Sequence, residues 1–159
     1  MDALVLSLVA WIAASTGLIV SEPPRIAFVP VSHFQQQFHS REGAQAKPEA
    51  TTPNHQKTQA TEKFFSVQGF YLRATATVYL PETWQLAALR DQSTLLHELV
   101  HHAQRLNKVG VACPGQLERQ AYDLQVAWLR EQGVAQPFDL IGIDEFTMLM
   151  LTACLPPDG

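Results

Sequence analysis

The hexapeptide His97-Glu98-Leu99-Val100-His101-His102 sets two imidazoles four residues apart, with a carboxylate beside the first. On an α-helix, residues i and i+4 share a face, with Cβ atoms about 5–6 Å apart. His97 and His101 can then direct two neutral nitrogens at one cation, at the roughly 2.0–2.1 Å that zinc prefers. Glu98 stands about 100° round the helix, off the pair of ligands yet within reach of water beside the ion. Metal-assisted hydrolysis needs this division of roles: neutral ligands hold the ion, and an unligated carboxylate takes a proton from water. The plain alternative is a helix with three polar side chains facing solvent.

A catalytic zinc takes three protein ligands as a rule. After His101 the chain reads His-Ala-Gln-Arg-Leu-Asn, which excludes a three-histidine extension on the same segment. If one helix ends near Asn107 and the next starts near Pro114, the two form a hairpin. A rise of 1.5 Å per residue sets His101 about 9 Å and Glu118 about 6 Å below the connection, nearly level. Glu131 falls about 25 Å down the same axis, too far to share the ion. Glu118 is therefore the expected third ligand; its alternative is a first-turn acid that complements the helix dipole. Tyr122, one turn on, shares the Glu118 face and can donate to an oxyanion, or simply pack. Asp123 is level with His97 and could orient a ligand imidazole, against the reading of a solvated helix acid. His102 borders the cleft and is expected to be exposed; His33, His39 and His55 read as surface residues.

The elements that must carry these residues are legible as periodicity. Leu96, Leu99, Val100, Ala103 and Leu106 recur at helical spacing after Ser93, a candidate N-cap. Pro114 suits the first turn of the next helix, whose stripe is Leu117, Ala121, Leu124 and Trp128, and Gly133 ends it. Asp144 caps a last helix over 144–154, apolar enough to be largely buried. Upstream, residues 70–80 alternate with period two and read as one half-buried strand, or as a hairpin bent near Arg73-Ala74. Residues 25–30 form a short strand bounded by prolines. Residues 41–63 lack large apolar side chains and read as a polar surface insertion.

Residues 3–20 carry no charge over eighteen positions. They fit a signal-anchor or short membrane span, or a core helix ended by Gly17; no Lys or Arg precedes them to form a basic flank. The whole is expected to be one α+β domain spanning 1–159: an N-terminal helix, a short antiparallel sheet, a helix hairpin and a C-terminal helix.

Of 159 residues, 47% are hydrophobic and 16% charged, enough apolar material for one real core. A net charge of −4 with no basic run excludes nucleic acid as the expected partner. Cys113 and Cys154 leave two options. A disulfide would close a loop of about 40 residues, worth roughly 3–4 kcal/mol, and imply an exported or periplasmic setting. Two buried thiols would fit the cytoplasm.

The run HELVHH followed at hairpin distance by CPGQLERQAYDLQ resembles the gluzincin (thermolysin-clan) zinc metallopeptidases, and more closely a group of small bacterial HExxH proteins of unknown function. The likeness extends to LVAWIAASTGL, RIAFVP, TVYLP and the terminal TAC helix, and favours the core-helix reading of residues 3–17. It implies zinc held by His97, His101 and Glu118, Glu98 as general base, and a peptide or protein substrate lying along an edge strand at 73–80. Two departures stand out. The clan places Asp four residues after its glutamate ligand, where this chain has Tyr122 and then Asp123, and the larger enzymes' C-terminal domain is missing. A non-catalytic zinc-binding or helical-hairpin interaction module is the competing expectation; a closed shell completed by His102 or a cysteine would favour it.

Overall fold

Helix α1 (Asp2–Thr16) buries Val5, Leu8 and Ile12, spaced three and four apart, against the core, and Gly17 closes it. This is the core-helix reading of residues 3–17. The computed structural model describes residues 1–31 and 68–154. The insertion expected at 41–63, with His33, His39 and His55, lies outside the described residues. No helix among the described residues is long and apolar enough to cross a membrane.

Three strands, β1 (Arg25–Val29), β2 (Phe70–Leu72) and β3 (Thr77–Pro81), form one sheet in the order β1-β3-β2. β2 and β3 are antiparallel, with Tyr71 opposite Val78, so residues 70–80 take the hairpin option. β1 runs parallel to β3, with Ile26 opposite Val78. The sheet is therefore mixed, where a wholly antiparallel one was expected. A short hairpin dictates antiparallel pairing, but a long connection such as that from β1 to β2 leaves either direction open. Alternation within a strand carries no record of that choice.

Four helices follow: α2 (Leu89–Leu106), α3 (Pro114–Glu131), α4 (Pro137–Ile141) and α5 (Glu145–Thr152). α2 starts a turn earlier than expected, with Ala88 at its N-cap in place of Ser93. The added turn packs Leu89 against the core. It is held by Trp84 Nε1–H donating to the Asp91 carbonyl (2.8 Å) and Gln85 N–H donating to the Asp91 carboxylate (2.7 Å). Leu95, Leu96, Leu99, Val100 and Ala103 of α2 are fully buried. Each of the larger ones gains about 1.5–3 kcal/mol on leaving water. α2 is thus the central rod, packed by α1, by Tyr71, Val78 and Leu80 of the sheet, and by Ala121, Trp128 and Leu129 of α3.

α3 begins at Pro114 and ends just before Gly133, as its residues suggest. Asp144 caps α5 by accepting from Thr147 N–H (2.6 Å). The expectation that this last helix is largely buried is overturned: Met148 and Thr152 are buried, whereas Phe146, Leu149 and Met150 are each more than half exposed. The i, i+4 pair Met148 and Thr152 is what the helix buries where it packs beside α3, and eight residues offer no second packed face. Cys113 and Cys154 are joined as a disulfide, with Cα atoms 5.7 Å apart, tying the start of α3 to the end of α5. A Cβ at Gly115 would lie 2.5 Å from the Thr152 carbonyl oxygen, so only glycine allows this approach.

Candidate metal centre

α2 and α3 lie side by side, and three polar atoms meet between them. His97 Nε2 and His101 Nε2 are 3.1 Å apart. Glu118 Oε2 is 3.4 Å from the first and 3.3 Å from the second. Among the described residues these three are the group that could hold a metal ion. The i, i+4 spacing on α2 and the level of Glu118 on α3 place them as the helical arithmetic anticipates.

Each imidazole is held at its far side by an amide. Gln125 Oε1 lies 3.2 Å from His97 Nδ1, and Gln104 Oε1 lies 2.9 Å from His101 Nδ1. Neither glutamine stands out in the sequence. The helical wheel offered the signal for one of them: Gln125, seven residues past Glu118, returns to within about 20° of its face. Asp123, the expected orienting acid, is about 140° away from that face. It is exposed and pairs with Arg119 (3.0 Å) instead, so its assignment to an imidazole is corrected.

His102 also departs from expectation. It is 1% exposed, buried behind the cluster. Arg105 Nε–H donates to the Tyr71 hydroxyl (2.6 Å), the hydroxyl donates to His102 Nδ1 (2.9 Å), and His102 Nε2–H donates to the Glu22 carbonyl (2.7 Å). An i+1 neighbour of His101 turns into the core because α2 is buried on more than one side. Burial lowers its imidazole pKa below the ordinary histidine value, which keeps it neutral.

Glu98 is 7% exposed and outside the three-atom group. Burial raises its carboxyl pKa, against the opposing charges of His97 and His101, and the backbone N–H of Tyr71 donates to it. A Cβ at Gly69 would lie 2.9 Å from Thr94 Cγ2 and 3.4 Å from Glu98 Cγ, so the strand entering β2 can press on Glu98 only as glycine.

Burial alone would lower His101, but its hydrogen bond to Glu118 and the charges of Glu98 and Glu118 outweigh it and lift the imidazole to about 9. Burial would raise Glu118, yet the hydrogen bond and charge of His101, with His97 alongside, hold it well below the usual carboxylate range. The Tyr122 ring packs edge-on to His97, centroids 4.6 Å apart. Burial, with the charges of Glu118 and Glu98, pushes its phenol up to about 12, so it remains a donor at neutral pH.

The edge strand expected at 73–80 is also corrected. β3 has neighbours on both sides, and the strand beside Glu98 is β2. A hollow of about 590 Å³ between α3 and α5, lined by Arg119, Asp123, Phe138 and Phe146 among others, contains none of the cluster residues.

Fold and site together define an α+β domain with a three-donor cluster suited to a cation, built across a helical hairpin. The chain belongs to the family described as Domain of unknown function (DUF6647), whose model matches residues 1–157. No curated protein and no solved structure matches it.

Proposed function

We propose that the protein is a zinc-dependent hydrolase, most simply a peptidase of the kind its HExxH segment resembles, with Glu98 as general base. One observation carries the reading: the donor atoms of His97, His101 and Glu118 form a triangle with edges of 3.1, 3.3 and 3.4 Å. Ligands about 2.0–2.1 Å from a tetrahedral ion stand roughly 3.3–3.4 Å apart, so the spacing of these donors suits zinc. Three protein ligands is the count that catalytic zinc uses, and structural sites use four. Among the described residues His102 is committed to Tyr71 and Glu22, and both cysteines to each other. That speaks against the closed shell of a non-catalytic module.

A zinc ion bound there supplies Lewis acidity, polarising a scissile carbonyl and acidifying water. Glu98 takes the proton from that water and returns it to the leaving amine. Its raised pKa makes the carboxylate a stronger base toward that water. Tyr122 stays protonated beside His97 and donates to the developing oxyanion. The disulfide supports an oxidising compartment.

The test is cleavage of a mixed peptide library with and without chelator, with zinc content measured on each protein. Glu98→Gln is expected to keep zinc and lose turnover, and His97→Ala to lose both. A Glu98→Gln protein as active as wild type would remove the mechanism.

A further inference from the structure

The two glutamines behind the histidines can be oriented from their other contacts. Ser93 Oγ–H donates to the Arg90 carbonyl (2.7 Å), so Ser93 offers Gln125 a lone pair. With the hydroxyl so placed, the Gln125 amide nitrogen faces Ser93 (3.1 Å), and its oxygen faces His97 Nδ1, which donates to it. The Gln104 amide nitrogen meets two acceptors, the Leu117 carbonyl (2.9 Å) and Gln120 Oε1 (3.0 Å). Its oxygen is left for His101 Nδ1, again a donor. Both rings thus carry hydrogen on Nδ1 and turn Nε2 toward Glu118.

We infer that Gln104 and Gln125 are positioning residues of the metal site: they lock both imidazoles with Nε2 inward while adding no charge around the cation. The inference rests on the zinc reading above. Metal-bound histidines usually hand their second proton to a carboxylate, a backbone carbonyl or water. Here neutral amides take it, and the carboxylates whose charges reach His101 are Glu98 and Glu118, two against a divalent ion.

The two positions differ in what they tolerate. In Gln125→Glu the second oxygen meets Ser93, whose hydroxyl can turn from Arg90 and donate to it. In Gln104→Glu the second oxygen faces the Leu117 carbonyl, an acceptor that cannot reverse. The isosteric changes should therefore act in opposite directions.

The experiment is zinc titration of wild type, Gln125→Glu and Gln104→Glu against a chromogenic chelator, with long-range proton–nitrogen NMR of the histidines in wild type. Gln125→Glu is expected to bind zinc about tenfold more tightly, and Gln104→Glu roughly 10–100-fold more weakly. In metal-free wild type, His97 should carry its proton on Nδ1. A proton on Nε2 there overturns the lock whether or not either variant folds. Wild type that takes zinc while both variants shift the same way, or not at all, overturns this inference alone. Wild type that takes no zinc removes the metal reading and this inference with it.

Discussion

Zinc affinity should depend on pH in a way that reports the cluster. In the metal-free protein His101 is lifted to about 9 by Glu118 and Glu98, so at neutral pH it carries a proton that zinc must displace. With that value, roughly 1% of the protein has a neutral His101 at pH 7 and roughly 10% at pH 8. Apparent affinity should rise about tenfold over that unit, about a hundredfold from pH 6 to pH 8, and level off above pH 9. Glu118 is held far below this range and contributes no slope. An ordinary histidine near 6.5 would give only about a 1.3-fold gain between pH 7 and 8. Competition with a chromogenic chelator across pH 6–9 measures the slope. Calorimetry in two buffers of different ionisation enthalpy measures the proton released, expected near one per zinc at pH 7.5. A flat profile between pH 7 and 8, or zinc uptake without proton release, would refute the shared-proton picture of His101 and Glu118.

Gly69→Ala should destabilise the fold by about 1–3 kcal/mol in denaturant titration, because its Cβ would press on Thr94 and Glu98. Unchanged stability and turnover would mean that strand and base are not in contact. Replacing Cys113 and Cys154 together by serine should cost roughly 3–4 kcal/mol for a loop of separation 41. It should also weaken zinc binding, since Glu118 sits on the first turns of the helix the bridge anchors; equal zinc affinity would uncouple the two. Tyr71→Phe removes the hydroxyl between Arg105 and His102 and leaves a buried imidazole nitrogen without its donor. A loss of about 1–3 kcal/mol is expected by chemical denaturation.

The residues that share one helix were the most legible. His97, Glu98 and His101 follow from local spacing alone, and Glu118 from counting rise along two antiparallel helices. Rise along a helix carries no rotation: Asp123 is level with His97 yet faces away, while Gln125 turns toward it. Gln104 was hidden for another reason. Its role depends on the Leu117 carbonyl and Gln120 across the hairpin, contacts that no single-helix pattern encodes. His102 escapes such a pattern because period 3.6 assigns a helix one buried face, and α2 is covered on several. Strand direction and the exposure of α5 belong to the same class, set by what packs alongside. The short α4 was not anticipated at all.

The mixed sheet has a topological corollary. β1 finishes opposite Pro81 and β2 starts opposite Tyr79, so the chain departs and returns at one end of the sheet. From strand spacing and rise, Val29 and Phe70 are about 12 Å apart. The entropy of closing a connection between such anchor points grows only logarithmically, about 0.6 kcal/mol for each doubling of its length. The helical hairpin and its three donors lie within residues 89–131, after both of these anchor points in the chain.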